Sequence, residues 1–132
     1  MKKFPILLFL FTCTYSFTNA QNWLWGKAGY GSMKSNVYGM HLATDKQGNA
    51  YQSGMFGGAL IFYPDSLIYG SDNAYMVKYN SAGQVKWAII PTFDQYGPAI
   101  ATDTGSNVYI TGINVGSGLF YVMKYNTNGS LI

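Results

Sequence analysis

Arginine and glutamate are absent from this chain, and cysteine and histidine occur once each. Without arginine there are no guanidinium forks to grip phosphates, which argues against an arginine-rich nucleic-acid binder. One histidine and one cysteine leave no cluster for a His/Cys metal site. Charged residues make up only 10% of the sequence, which excludes a disordered acidic tail. No apolar run is long enough to span a bilayer; the longest, Phe4 to Phe11, is far short of the twenty or so residues needed. Against these absences, 48% of the 132 residues are apolar and 17% aromatic, with 12 Tyr and 16 Gly. Tyrosine-rich apolar content with frequent glycine suits packed β-strands better than a helical bundle.

The first twenty residues have the layout of a secretory signal peptide. Met1-Lys2-Lys3 is positive, Phe4 to Phe11 is the apolar core, and Thr18-Asn19-Ala20 offers small residues before the chain turns polar at Gln21. The chain is therefore expected to be exported, with no transmembrane span in its mature form. Lipidation of Cys13 is the alternative, but the bulky Phe11 and the Thr12 beside the cysteine suit that signal poorly. Removal of residues 1–20 takes Lys2, Lys3 and Cys13 with it. Six Lys then face five Asp, and the net charge falls from +3 to +1. The mature chain has no thiol, so it is expected to be held together by packing alone or by further chain, and not by disulfides.

Residues 21–132 are internally repetitive. Tyr38 to Gly54 matches Tyr96 to Gly112 at an offset of 58, with eight identities in 17 positions. Ala74 to Lys86 matches Phe120 to Ile132 at an offset of 46, with five identities in 13. About two matches would arise by chance over such a length at ordinary composition. The difference between the offsets is a 12-residue insertion between Gly54 and Ala74 in the first copy. A period near 46 occurs both in four-stranded propeller blades and in helical repeats. Strand chemistry decides: Tyr, Val, Ile and Met fill short segments, and Gly, Asn and Asp interrupt them every eight to twelve residues or so.

One copy is predicted to hold four strands, near Tyr38–Thr44, Asn49–Gly54, Ala74–Tyr79 and Gln84–Ile90. The turns between them are Asp45-Lys46-Gln47-Gly48 and Asn80-Ser81-Ala82-Gly83, where Asp or Asn accepts backbone N–H bonds and glycine supplies positive φ. In the second copy Ser106 stands where the first has Gly48, with Gly105 one place earlier, so a different turn is expected there. Both faces of the strands are apolar, as in sheets stacked on both sides.

These residues resemble the bacterial β-propeller repeat of the SBBP type. The pattern is carried by Ala43-Thr44-Asp45, Gly48-Asn49, Tyr51, Gly54, Phe56, Ala74-Tyr75, Lys78-Tyr79-Asn80, Gly83 and Trp87, over essentially all of residues 23–132. The resemblance implies an all-β fold, a partial β-propeller of four-stranded antiparallel blades. On that reading residues 22–28 are a ring-closing strand similar to Val85–Ala88, residues 38–90 one blade, and residues 96–132 an incomplete second blade. It also implies an exported or surface-exposed protein, and the match of Ile132 to Lys86 leads to the expectation of a truncated reading frame.

The recurrent positions are read first as structure: Asp45, Gly48, Asn49, Tyr51, Gly54, Lys78, Tyr79, Gly83 and Trp87, then Asp103, Asn107, Tyr109, Gly112, Lys124, Tyr125 and Gly129. Asp45 and Asp103 lack the alternating acids of a calcium loop and are expected to cap turns. Lys78 and Lys124 are expected to lay their stems along a sheet with the ammonium at its edge. Asn128-Gly129-Ser130 matches a glycosylation sequon and is read more simply as a turn. His41 has no acid or nucleophile beside it in the pattern, and no catalytic residue, metal or cofactor is assigned. In the insertion, Ala59–Tyr63 and Leu67–Tyr69 flank Pro64-Asp65-Ser66 as a hairpin. Tyr63 and Tyr69 are the candidate ligand-binding residues, suited to stack on a sugar ring. The expected role is a non-catalytic scaffold or binding module at the cell surface or outside the cell, for protein or glycan partners and not nucleic acid. The alternative is the N-terminal part of a larger extracytoplasmic propeller enzyme, a lyase or hydrolase, with its active site in further blades.

Overall fold

A computed structural model of the chain describes residues 24–31, 36–91, 95–114 and 116–132. The expected signal peptide, with Cys13, lies outside the described residues. The described chain is all-β and antiparallel. Eight strands occur in order: β1 (Tyr30–Gly31), β2 (Val37–Thr44), β3 (Ala50–Phe62), β4 (Asp65–Tyr79), β5 (Val85–Ile89), β6 (Gln95–Thr102), β7 (Val108–Asn114) and β8 (Phe120–Tyr125). They form two sheets. The first contains β1 to β5, with β4 between β3 and β5, and with β2 and β1 sharing the other edge of β3. The second is β6-β7-β8, and Leu131 forms an isolated bridge to Tyr125 beyond it.

The strands begin and end where the turn chemistry places them. Between Gly54 and Ala74, however, β3 and β4 do not stop. They continue through the insertion as one long hairpin, closed by Tyr63-Pro64 with Phe62 opposite Asp65. We call the extension, residues 57–72, the arm. Its register shifts between Phe56 and Gly58, a bulge that bends the hairpin. Eight residues separate Gly54 from Phe62, about 26 Å along a straight strand. Yet the Phe62 ring lies 5.5 Å from that of Tyr75, the residue opposite Gly54. The arm therefore folds back across its own sheet.

Side chains alternate between two faces of the first sheet, and each face carries a core. One joins Ala50, Phe56, Tyr75, Val77 and Tyr79 to Leu60, Phe62 and Leu67 of the arm, with Trp25 and Val37 packed against it. The other joins Tyr51 and Met76 to Val108, Ile110, Met123 and Tyr125 of the second sheet, with Trp87 and Ile89 alongside. The two-sided apolar patterning thus corresponds to two packed layers on the first sheet. The expected closing strand, residues 22–28, lies partly outside the described residues. Residues 24–29 carry no strand, and pairing begins with β1, whose Tyr30 and Gly31 oppose Ile61 and Leu60 of the arm.

Candidate functional site

The turns come first, because they set every other position. Asp45 Oδ1 accepts hydrogen bonds from the backbone N–H of Gln47 (3.0 Å) and Asn49 (2.9 Å). Its Oδ2 accepts from Asn49 Nδ2 (2.8 Å) and the Tyr51 hydroxyl (2.9 Å). Asp103 does the same with Gly105 N and Asn107 N (both 2.9 Å), Asn107 Nδ2 (2.8 Å) and the Tyr109 hydroxyl (3.2 Å). Asn80 and Asn126 bracket the later turns in the same manner, each accepting from N–H groups two and four residues on. These contacts use the acceptor oxygens of the aspartates within the turns themselves.

The pKa shifts follow. For Asp45, burial works to raise the carboxyl, but the bonds from Asn49, Tyr51 and Ser106 outweigh it and hold the group below its ordinary value. Asp103 is drawn down to about 2, chiefly by the side chain and backbone of Asn107. The Tyr51 hydroxyl is pushed up to about 12, first by burial and then by its bond to Asp45.

The different turn expected at Ser106 is not what the chain adopts. Gly48 N and Ser106 N donate to Asp45 O and Asp103 O at 3.1 and 3.0 Å, closing the same turn. Gly48 has φ +77° and Ser106 φ +61°. A left-handed serine costs about 1–2 kcal/mol. Its hydroxyl is well placed to offset part of this, donating at 2.5 Å to Gln47 Oε1 in the turn of the first sheet.

Contacts between the sheets involve the recurrent residues. Lys78 is buried and crosses the Tyr51 ring at 5.3 Å. Its ammonium donates to Thr127 O (2.9 Å) and Thr127 Oγ1 (2.6 Å) of the second unit. Burial draws its pKa down, with Asp45 acting against that. Lys124 crosses Tyr109 in the same way, at 5.1 Å, but its ammonium turns back to Asp103 at 3.6 Å. Thr102 Oγ1 donates to Thr44 O (2.7 Å), and Ser53 Oγ to Pro98 O (3.0 Å).

Trp87 makes the most distinctive of these contacts. Its Nε1 donates to Thr127 O at 3.1 Å, its ring lies 6.0 Å from that of Tyr51, and a Cβ on Gly129 would stand 3.2 Å from its indole. Trp25 repeats the arrangement one unit earlier. Its Nε1 donates to Ser81 O at 3.1 Å, its ring lies 5.8 Å from that of Tyr79, and a Cβ on Gly83 would fall 2.6 Å from the indole. Ser81 and Thr127 are 46 residues apart, as are Gly83 and Gly129. Sequence reasoning singled out Gly83, Trp87 and Gly129 but not Trp25 or Thr127 in this role. The signal was present in the shared offset of Ser81 and Thr127. Gly54 and Gly112 serve a further close approach: a Cβ on either would collide with the ring of Tyr75 or Tyr121 crossing from the next strand. Tyr79 and Tyr125 are buried in the two cores.

Tyr63 is 76% exposed at the tip of the arm. It lines a groove of about 450 Å³ with Lys27, Tyr30, Pro64 and Gln84. Tyr30, at 61% exposure, is the second exposed aromatic there, beside the buried Phe62 and Tyr79. The backbone of Tyr69 pairs with Gly58; its side chain lies outside the description. His41 is exposed on β2 beside a shallow depression lined by Trp25, Met40 and Gln52. Among the described residues no three of His, Cys, Asp or Glu come together as metal ligands, and no buried side-chain polar atom lacks a hydrogen bond. None of the described residues forms a helix long and apolar enough to cross a membrane. No protein-family model matches the chain, and no curated protein matches it.

Proposed function

We propose that this chain is an exported, non-catalytic β-propeller repeat segment, serving as a scaffold or binding module at the cell surface or outside the cell. The observation that carries the reading is the repeated indole contact, Trp25 on the Gly83 turn and Trp87 on the Gly129 turn. A contact made twice, on equivalent turns 46 residues apart, is what stacked repeats need, since each unit buries its faces only against its neighbours. Such a stack offers rigid faces from which loops can bind. The groove beneath the arm, with Tyr30 and Tyr63 on its walls, is the place for a ligand. Two exposed phenol rings and the hydrogen-bonding groups of Lys27 and Gln84 suit a glycan, whose ring faces stack and whose hydroxyls need partners.

The test has two readouts. A tagged full chain expressed in a bacterial host should be found outside the cytoplasm, shorter by residues 1–20 in intact mass. Retention at full length in the cytoplasm would refute export. Titration with soluble cell-wall polysaccharides, followed by intrinsic fluorescence, should give a saturable response that Tyr63→Ala abolishes. An equal response from Y63A would remove the groove from the proposal.

A further inference from the structure

Between the last turn of the second sheet and the β5 edge of the first lies a cleft of about 390 Å³. Two lysines, three asparagines, Thr127 and Trp87 line it, and no acid does. One of the lysines is Lys78, only 7% exposed. An ammonium has three donors. Two of those on Lys78 go to Thr127 O and Thr127 Oγ1, which are uncharged. Among the described residues the one ion pair is Lys124 with Asp103, so no carboxylate pairs with Lys78. Burial works against its charge, Asp45 favours that charge, and Lys86 repels it. Asp45 is already engaged by Gln47, Asn49 and Tyr51. Two like charges therefore share a hollow that holds no counter-charge, and an anion between them would favour both.

The stacking of the units does not require this lining. Trp25 makes the same indole contact one unit earlier, yet Leu24 stands there in the place of Lys86, and Ala82 in the place of Asn128. On the second sheet Lys124, the counterpart of Lys78, is paired with Asp103, and Ile132 takes the place of Lys86. The tryptophan contact is thus made without the lysine pair at one junction, and the buried lysine has its own acid in the other unit. The combination of an unpaired Lys78 with Lys86 belongs to this cleft alone among the described residues.

We propose that this cleft is an anion site, which holds a phosphate or sulfate group between Lys78 and Lys86. Two ammonium groups match the double charge of such a group and give it charge-assisted hydrogen bonds. The side-chain amide of Asn128 supplies a neutral donor on the same wall. The cleft is roomier than a bare oxyanion needs, so the group can be the free ion or a monoester carried on a sugar. This inference rests on the junction of the two units and is independent of export and of the groove beneath the arm.

Isothermal titration calorimetry of the full chain, at ionic strength held constant with sodium chloride, tests the site. Inorganic phosphate and inorganic sulfate should each bind one-to-one and saturably, and glucose should give no response. Glucose 6-phosphate separates the two sources: tighter binding than inorganic phosphate assigns the site to a sugar monoester, and equal or weaker binding assigns it to the free ion. Lys86→Gln removes an exposed charge and should weaken phosphate by about tenfold, the loss of one charge-assisted hydrogen bond. Lys78→Gln should abolish binding with strand circular dichroism retained, and Lys86→Gln decides the matter if that variant does not fold. Lys124→Gln and Tyr63→Ala, which lie outside the cleft, should bind phosphate as the unaltered chain does. No saturable response to phosphate or sulfate, or equal affinity in K86Q and the unaltered chain, would overturn the proposal.

Discussion

Replacing Trp87 with alanine removes the contact that ties the β5 edge of the first sheet to the last turn of the second. An aromatic side chain of this size covers on the order of 200 Å². Trp87 is half-buried, so roughly 100 Å² of apolar contact is lost, about 2.5 kcal/mol at 25 cal/mol per Å². The indole bond to Thr127 O lies near solvent and contributes at the low end for a neutral pair, about 0.5 kcal/mol. Trp87→Ala should therefore destabilise the chain by about 3 kcal/mol. With a urea slope of about 1.5 kcal/mol per M, the midpoint falls by about 2 M. Far-UV circular dichroism is the right probe, since the substitution removes a fluorophore. Trp87→Phe keeps a ring over Gly129 and loses the donor, and should recover more than half of the deficit. A loss below about 1 kcal/mol in W87A, or equal losses in W87A and W87F, would refute the assignment of this contact to ring packing.

Three further outcomes follow from the same geometry. Gly83→Ala should destabilise more than Gly129→Ala in urea melts: both sites have positive φ, costing about 1–2 kcal/mol each, but only the Gly83 Cβ intrudes on an indole at 2.6 Å. Lys78→Ala should cost about 2 kcal/mol, as the charged donor to Thr127 O and Oγ1 is lost, whereas Lys124→Ala should cost less, its ion pair with Asp103 being exposed to screening. Asp45 and Asp103 have folded pKa values below the ordinary 3.8, that of Asp103 about 2, so the unfolded chain binds their protons first. Their stabilisation is complete above pH 4 or so and is lost as pH falls toward 2. Asp45→Asn with Asp103→Asn should flatten that limb of the stability–pH profile, and an unchanged limb would contradict the turn assignment.

The all-β class, the turns and most strand positions were legible because they depend on local chemistry. Asp45 and Asp103 cap turns whatever lies around them, and alternating Tyr75, Val77 and Tyr79 mark one face of a strand by period alone. The hairpin around Pro64 was legible for the same reason. Its direction was not: a register shift at Gly58 sends Phe62 back onto Tyr75, and nothing in the local pattern encodes a bend of that size. The turn at Ser106 was misjudged because glycine is the usual carrier of positive φ, while the bond that helps hold serine there comes from Gln47 of another unit. In the candidate groove, Tyr63 was legible as an exposed aromatic at a turn. Tyr30 was not, since it reaches that groove only through the pairing of β1 with the folded-back arm.

The two indole contacts have an evolutionary consequence. Each donates to a main-chain carbonyl, that of Ser81 in one case and Thr127 in the other, and each rests on a residue without a side chain. A bond to the backbone is indifferent to which residue supplies it. A unit that keeps the tryptophan and the glycine therefore keeps this contact, whichever residue supplies the carbonyl.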